Sequence, residues 1–281
     1  MKNKEIVAVE FVNVTFGYTP KMTTLDKLSF KFFDNEYICI VGHNGSGKST
    51  ISKVITGLVE PRSGCVKIFD EVVDVNNKRF ICDNVGIIFQ NPDNQFIGIT
   101  PEDDIAFGLE NRKVDPQDIG DIIKQVSKLM NIEDILEKEA SMLSGGQKQR
   151  VAISSILAIN PKIIIFDEST SMLDPKAKSE LKKLMLVLKE KFGKTIISIT
   201  HDMEEIINAD RVLVMEGGKL LQFGTPSEIF EDREKLQKNK LDFPLSLQIS
   251  SLLSKKYNNF PLIIDYDELV SEIVKLGEKN A

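Results

Sequence analysis

The chain has 281 residues, of which 42% are hydrophobic and 28% charged, a composition typical of a globular protein with a sizeable core. Its net charge of −6 argues against sequence-independent nucleic-acid binding, which needs a basic surface, so we expect no nucleic-acid partner. Three scattered cysteines and two histidines argue against a disulfide framework or a zinc site, and no run approaches the ~18 apolar residues of a membrane-spanning helix.

The first part of the chain predicts strands followed by a glycine-rich loop. Residues 6–16 alternate apolar and polar side chains, and residues 28–32 continue the pattern as an antiparallel edge would. The nearly wholly apolar run 37–41 (YICIV) predicts a strand buried on both faces. This run leads directly into Gly42, and the apolar residues after Lys48 recur at helical spacing. The order is therefore strand, glycine loop, helix.

Residues 42–49, GHNGSGKS, match the phosphate-binding pattern G-x-x-x-x-G-K-[ST]. Glycines turn backbone N–H groups toward phosphate, the helix adds its positive end, Lys48 reaches the β- and γ-phosphates, and Ser49 offers a hydroxyl to Mg²⁺. A chance match in a glycine-rich turn is the alternative, and the flanking strand and helix argue against it. The residues predicted to bind nucleotide here are Gly42, His43, Asn44, Gly45, Ser46, Gly47, Lys48, Ser49 and Thr50.

Farther along, a helical interval separates two series of strands. Between about residues 91 and 158 the strand signal disappears, which predicts a helical insertion. Strands then alternate with helices, as in a mainly parallel α/β sheet that binds ligands at its carboxyl edge. After Phe230, helical spacing over 244–253 and 267–276 predicts a small helical tail. The later strands are predicted at residues 162–166, 195–199, 211–215 and 219–223, and the helices between them at 175–191 and 202–208.

Polar side chains at three strand ends predict the chemistry of this edge. Asp167, after the buried run IIIF, is placed to hold Mg²⁺, and Glu168 can orient or deprotonate an attacking water. An acidic turn that merely ends a strand is the alternative. Gln90, at the end of VGIIFQ, can bind Mg²⁺ or water, and His201 can contact the γ-phosphate or the water. Each signal is weak alone, but together they predict a nucleotide-hydrolysing site.

Six motifs, taken together and in this order, resemble those of ABC-transporter ATPases over about residues 6–230. They are GHNGSGKST, Gln90, LSGGQKQR (Leu143–Arg150), IIIFDE, SMLD (171–174) and His201. LSGGQ is the most diagnostic motif. The resemblance implies an α/β P-loop fold with a mainly parallel sheet, an antiparallel β edge subdomain, a helical subdomain and a C-terminal helical extension. It places the nucleotide-binding domain at residues 1–232, the helical subdomain at about 91–158, and a helical dimerisation extension at 233–281.

The resemblance also implies that the active site is shared. In this family two subunits pack head to tail, and each LSGGQ turn closes on the ATP bound by the other subunit. Tyr18 resembles the aromatic residue that stacks on adenine, with a core tyrosine as the alternative, and Asp174 resembles a residue linking the two sites. Ser169 stands where the family often has proline. The residues implied to bind the partner's ATP are Ser144, Gly145, Gly146 and Gln147.

The segment 89–111 (FQNPDNQFIGITPEDDIAFGLEN) resembles energy-coupling factor importers of vitamins and metal ions, and most closely the first of their two ATPase subunits. This implies an ATPase that uses ATP and Mg²⁺ at the cytoplasmic face of the membrane. The implied partners are a second ATPase subunit, a transmembrane coupling subunit and a substrate-binding membrane subunit. A heterodimer is expected, with a homodimer as the alternative.

Two regions are expected to contact these partners. The acidic helix 101–109, with Glu102, Asp103, Asp104 and Phe107, would receive basic coupling helices, unless it is simply a solvated helix start. The helical tail would extend the contact between the ATPases, or else pack on its own domain.

Other functions remain as alternatives. The chain could serve another ABC importer, or be an ABC ATPase that acts on ribosomes or DNA. Ribosomal forms usually carry two ATPase domains and basic linkers, and DNA-repair forms insert long coiled coils before LSGGQ, unlike this chain. A non-hydrolysing regulatory subunit is a third possibility. Glu168 and His201 argue against it, because degenerate sites usually lose them.

Overall fold

A computed structural model describes residues 6–171, 173–231, 244–257 and 260–280 of the chain. The predicted boundary between residues 232 and 233 lies outside these ranges, as does Met172 of the SMLD motif.

A central sheet buries the strands that carry the site. Its strands are β3 (Tyr37–Gly42), β6 (Val85–Ile88), β7 (Ile163–Asp167), β8 (Thr195–Ile199), β9 (Arg211–Glu216) and β10 (Lys219–Gly224). Among the described residues the order is β10-β9-β3-β8-β7-β6, parallel except for β10, which pairs antiparallel with β9. Every residue of β3, β7 and β8 is buried, because layers cover both faces of the sheet. The predicted mainly parallel sheet is confirmed.

A smaller antiparallel sheet packs beside it. Its strands are β1 (Val7–Phe16), β2 (Leu25–Phe33), β4 (Ser63–Ile68) and β5 (Glu71–Val72), in the order β2-β1-β4-β5. The antiparallel pairing of β1 with β2, which the sequence predicted, joins Phe11 to Phe30, whose rings stack 4.4 Å apart. The strands β4 and β5, and the helix α2 (Lys78–Asn84) that follows them, were not predicted.

Helices follow four strands of the central sheet, three of them at its carboxyl edge and the fourth, after the antiparallel β10, at the opposite edge. They are α1 (Lys48–Ile55) after β3, α6 (Pro175–Phe192) after β7, α7 (Met203–Asn208) after β8 and α8 (Pro226–Glu231) after β10. Asp174 begins α6 by accepting hydrogen bonds from the backbone N–H groups of Lys176 and Ala177, and Pro175 occupies the first turn. The bounds of α6 and α7 agree with the predicted helices to within one residue at each end.

The interval 91–158 contains α3 (Pro101–Asn111), α4 (Pro116–Met130) and α5 (Gly145–Ala158), which pack against one another. The expected acidic face of the first of these helices is partly wrong. Asp104 is buried and accepts hydrogen bonds from Ile97 N at 2.8 Å and Ser155 Oγ at 2.8 Å. Asp103 forms a capping box with Thr100 at the start of the helix. Of the four residues expected to contact a partner, only Glu102 and Phe107 are therefore exposed and have no side-chain role within the helix itself.

Two further helices, α9 (Leu245–Lys256) and α10 (Tyr266–Asn280), form the tail. Leu247 of α9 joins the main core, so this helix packs on its own domain. The segment 261–264 between these helices is bonded to α9, since Ile263 N donates to Ser250 Oγ at 3.0 Å. α10 leaves Val270 and Val274 more than half exposed. Among the described helices none has the length and apolarity needed to cross a membrane.

Candidate functional site

The glycine loop turns sharply between β3 and α1. Gly42 and Gly47 have φ angles of 151° and 105°, where residues with a side chain are strained. An added Cβ would also lie 2.3 Å from the carbonyl oxygen of Met215 at Gly42, and 2.8 Å from Leu25 Cδ2 at Gly47. Gly47 supplies no side-chain cap to α1. The first N–H groups of the helix are therefore open to an anion.

Lys48 is held across this loop. Its Nζ donates to the carbonyl oxygens of Gly42 at 2.8 Å and His43 at 3.2 Å. Burial lowers the pKa of the Lys48 ammonium, and the negative charges of Glu168 and Asp167 act in the opposite direction. A buried ammonium group held by two backbone carbonyls is suited to bind a phosphate. The neutral carbonyls compensate its positive charge only in part, and the negative phosphate would complete the compensation.

Asp167 ends β7 directly below α1. Ser49 Oγ donates to its Oδ1 at 2.9 Å, and Ser52 Oγ donates to its Oδ2 at 3.3 Å. Burial raises the pKa of Asp167, and the two hydroxyl donors lower it. A buried carboxylate met by hydroxyl groups suits a divalent cation that also binds phosphate and water. No cluster of three His, Cys, Asp or Glu side chains arranged for a metal occurs in the described ranges, but Mg²⁺ commonly needs only one or two carboxylates.

Glu168 faces a different direction from Asp167. Its backbone is left-handed, with φ of 50°, an uncommon conformation for a residue other than glycine. Its N–H donates to the carbonyl of Ile199 on β8 at 3.0 Å. Glu168 Oε1 lies 3.6 Å from His201 Nε2, at the end of that strand. The turn thus brings the predicted base and the predicted histidine together.

An open cavity of about 500 Å³ lies over the glycine loop. Glu168 lines this cavity and also a neighbouring one of about 270 Å³, in which His201 lies. Gln90, two residues beyond the end of β6, reaches the larger cavity. The predicted residues that line the larger cavity are Tyr18, Asn44, Gly45, Gly47, Lys48, Ser49, Thr50, Gln90 and Glu168. Met22 and Thr24 also line it but were not predicted, although their place in the loop after Tyr18 was a usable signal.

Tyr18 stands at the rim of this cavity. Its side chain is 51% exposed, so the alternative of a core tyrosine is wrong. The ring meets Phe16 edge to face with centroids 5.0 Å apart, and Lys53 Nζ lies 5.5 Å from its centroid. The Tyr18 hydroxyl is 3.4 Å from Thr50 Oγ1. An aromatic ring supported on one side and exposed on the other can stack on a planar base.

The LSGGQ turn forms the start of α5. Ser144 Oγ accepts a hydrogen bond from Gln147 N at 3.3 Å, and Gln147 Oε1 accepts one from Ser144 N at 2.9 Å, which makes a complete capping box. Of the described residues, none would lie within 4 Å of a Cβ at Gly145, and only Leu173 would meet one at Gly146, through Cδ2 at 3.9 Å. Among the described residues that line the two cavities, none belongs to this turn. Within the part of the chain that the structure describes, nothing in the packing therefore requires glycine at these positions.

Comparison with known proteins identifies the family. Residues 25–171 match the family described as ABC transporter. The energy-coupling factor transporter ATP-binding protein EcfA1 of Ureaplasma parvum is 56% identical over 97% of this chain and 93% of its own length. The energy-coupling factor transporter ATP-binding protein EcfA of Malacoplasma penetrans is 55% identical over 98% of this chain and 95% of its own length.

Solved structures give the same result. The protein cbiO1 from Clostridium perfringens, described as part of the ABC transporter complex cbiONQ, has a TM-score of 0.74 and 32% identity, over 89% of this chain and 100% of its own. An ATP-binding cassette solved as a dimer in a post-hydrolysis state with ADP and Pi has a TM-score of 0.72 and 27% identity, over 78% of this chain and 98% of its own.

The family match and the full-length relatives agree with the fold and with the motifs. The predicted P-loop fold and the predicted ATPase class are confirmed. This chain belongs to the ABC transporter ATPases and, within them, to the energy-coupling factor transporter ATP-binding proteins.

Proposed function

We propose that this chain is the ATP-hydrolysing subunit of an energy-coupling factor importer, and that it works by closing on a second ATPase subunit. Each ATP would lie between the glycine loop of one subunit and the LSGGQ turn of the other. The observation that carries this proposal is the open space at Gly145 and Gly146. Glycine within a helix costs up to about 1 kcal/mol relative to alanine, so two glycines in the first turn of α5 suit a place where another molecule approaches the backbone closely.

The approaching group would be a nucleotide bound by the other subunit. Ser144 and the exposed N-terminus of α5 offer hydrogen-bond donors and a positive helix end to its γ-phosphate. The similar ATP-binding cassette, described as a dimer bound to ADP and Pi, supports the pairing of two such domains. Because ATP would bind the closed dimer better than the open one, it would shift the population toward closure, and hydrolysis would reverse the shift.

Within one subunit, each residue near the glycine loop has a distinct task. The loop and Lys48 bind the phosphates, and Tyr18 stacks on adenine. Ser49 and Asp167, already joined at 2.9 Å, would hold Mg²⁺ together with Gln90. Mg²⁺, when bound, neutralises charge on the phosphate oxygens.

The attacking water would lie between the glycine loop and the two strand ends. Glu168, which lines both cavities, orients this water or accepts its proton. His201, 3.6 Å from Glu168, holds the γ-phosphate or the water in place. Asp174, which follows this region and begins α6, would link the two active sites across the dimer.

Energy coupling would require contact with membrane subunits, and an exposed apolar surface supports this. Ile97, Ile99 and Phe107, with exposed fractions of 69%, 74% and 42%, lie within ten residues of one another in the chain, in the same segment as the exposed residue Glu102. We call these four residues the docking patch. A transmembrane coupling subunit, itself associated with a substrate-binding membrane subunit, would bind there. The chain would then sit peripherally at the cytoplasmic face of the membrane.

The same proposal divides the chain into a nucleotide-binding domain of residues 1–232, with a helical subdomain at about 91–158, and an extension of residues 233–281. The exposed side chains of Val270 and Val274 on α10 suit contact between the extensions of two ATPase subunits. A heterodimer with a related subunit is the expected assembly.

The substitution Glu168→Gln tests whether the ATP site is shared between two subunits. Glu168→Gln retains the shape of the side chain but removes the base, so ATP affinity should persist while turnover falls by on the order of 10²–10⁴. The ATP-bound dimer should then accumulate, as measured by light scattering with and without the second ATPase subunit. Glu190→Gln, an exposed position on α6, is the matched control and should behave as wild type. A variant that binds ATP but stays monomeric in both mixtures would contradict the shared site.

A further inference from the structure

One arginine holds the loop that carries Tyr18. We call residues 17–22, which lie in the connection between β1 and β2, the tyrosine loop. Arg62, just before β4, donates from Nη2 to the carbonyl oxygens of Gly17 at 2.8 Å and Met22 at 3.0 Å, and also to that of Thr19. Its Nη1 donates to the carbonyl of Pro20 at 3.4 Å. A single guanidinium therefore joins four carbonyls of one short loop.

Besides the bonds from Arg62, the contacts of the tyrosine loop are few and come mainly from the Tyr18 side chain, which meets Phe16, Lys53 and Thr50. Residues 18–22 are all exposed, so burial of apolar side chains does not hold them. Within the loop, Met22 N donates to the carbonyl of Thr19 at 2.9 Å. Arg62 itself is tied to the sheet, since its N–H donates to the carbonyl of Thr15 on β1 at 2.8 Å. The arginine thus connects an exposed loop to an ordered strand.

The carbonyls converge so closely that the loop has no room for a side chain at its first residue. A Cβ at Gly17 would lie 1.7 Å from the carbonyl oxygen of Met22 and 2.6 Å from Arg62 Nη2. Glycine at this position lets the two ends of the loop meet around the guanidinium. The five N–H donors of arginine lie in one rigid plane, which suits several acceptors converging from one side.

Arg62 does not line the cavity over the glycine loop, whereas Tyr18 and Met22 of the tyrosine loop do. An effect of Arg62 on nucleotide binding must therefore pass through the loop. If the loop were free, only part of the population would present Tyr18 to the base, and the apparent affinity would fall by that fraction.

We propose that Arg62 is a positioning residue that holds Tyr18 where it stacks on adenine. The proposal rests on the adenine contact of Tyr18 given under the proposed function. Arg62 contributes order to the loop and makes no contact with the triphosphate. The contribution of Arg62 to nucleotide affinity should therefore require both a ligand that carries a base and the Tyr18 ring.

Equilibrium binding to the full-length chain tests this with four variants: Arg62→Ala, Tyr18→Ala, the double variant and Arg62→Lys. The probes are ATP and inorganic tripolyphosphate, each with Mg²⁺. Arg62→Ala should weaken ATP binding by about tenfold, if the free loop presents Tyr18 for about a tenth of the time. Tripolyphosphate binding should not change, and the midpoint of thermal unfolding should fall by no more than a few degrees, because only the tyrosine loop loses order. Arg62→Lys should lie between wild type and Arg62→Ala, because one ammonium cannot span the four carbonyls.

The double variant and a charge control separate positioning from other effects. With the ring removed, Arg62 has nothing to position, so the double variant should bind ATP no more weakly than Tyr18→Ala. Lys21→Ala removes an exposed positive charge from the same loop and should leave ATP affinity unchanged.

The possible outcomes distinguish the two claims. If Tyr18→Ala weakens ATP binding but Arg62→Ala does not, the positioning role is wrong and the adenine contact stands. If Tyr18→Ala has no effect, the adenine contact itself is wrong. Additive losses in the double variant, or equal losses for ATP and tripolyphosphate, would overturn the positioning role, since Arg62 would then act on the phosphates or on the whole fold.

Discussion

Glu205 offers a test of how a buried acid beneath the His201 turn affects stability. It lies in α7 with 1% of its surface exposed, and Ser198 Oγ donates to its Oε2 at 2.5 Å. Burial raises the pKa of Glu205 from 4.5 to about 7, the charge of Asp202 acts in the same direction, and Ser198, Lys182 and Thr200 lower it. The other titratable groups that face it are the Tyr37 hydroxyl and the Cys39 thiol of β3.

The expected effect of pH on the free energy of unfolding follows from the two pKa values of Glu205, 4.5 and about 7. Between pH 4.5 and about 7 the folded chain retains a proton that the unfolded chain has released. Raising the pH through this window therefore lowers the free energy of unfolding. At about 1.4 kcal/mol per pH unit, the penalty reaches on the order of 3 kcal/mol above neutrality. Glu205→Gln cannot ionise and should escape that penalty.

Urea unfolding from about pH 5 to pH 8, without nucleotide, measures this directly. The free energy of unfolding of Glu205→Gln, relative to wild type, should increase with pH by up to about 3 kcal/mol. Glu204→Gln is the matched control, because the neighbouring Glu204 side chain is 64% exposed and pairs with Lys182 at 2.5 Å. Its difference from wild type should be small and should not change across the same range.

The reasoning would be refuted by a difference between Glu205→Gln and wild type that is constant with pH. That result would mean that Glu205 has the same pKa in the folded and unfolded chains. A difference that shrinks as the pH rises would be equally damaging, because it would mean that the folded state prefers the ionised carboxylate.

Two further predictions concern phosphate binding and the membrane partner. Lys48→Ala should weaken ATP binding by about a hundredfold or more in a fluorescence titration, because a buried phosphate loses its charge partner. Lys78→Ala, at an exposed position on α2, is the control. Undiminished ATP affinity of Lys48→Ala would show that phosphate binding is wrongly assigned to the glycine loop. Ile99→Glu should abolish co-purification with the transmembrane subunit without unfolding the chain, since Ile99 is 74% exposed. Val75→Glu, at a 56% exposed position outside the docking patch, should co-purify normally, and equal recovery of both variants would contradict that patch.

The parts of the site that depend on local sequence were predictable. The spacing of glycines around Lys48 specifies a turn whose backbone faces an anion, and the apolar run before it specifies a buried strand. Because parallel strands end at one edge, Asp167 and His201 could be assigned to one site from strand ends alone. The structure places both near Glu168 or the glycine loop.

Contacts between distant segments could not be predicted in the same way. Nothing near Arg62 in the sequence indicates that it binds the carbonyls of a loop 40 or more residues earlier. The strand β4 was missed because its first residues are polar or lack a side chain, which leaves no clear alternation. For Asp104 a signal was available, since helical spacing puts it on the same face as the buried residues Pro101 and Ile105.

The capping box at Ser144 has a consequence for the speed at which two subunits would pair in the proposed dimer. Its oxygen already receives the N–H of Gln147, while among the described residues nothing accepts the hydroxyl hydrogen. An incoming phosphate can take that hydrogen without breaking a bond, because the rotamer and the helix start are fixed when the monomer folds. Little conformational freedom remains to be lost at this contact when two chains meet. The rate of pairing should then be governed by diffusion and relative orientation, and not by any slow reshaping of the turn.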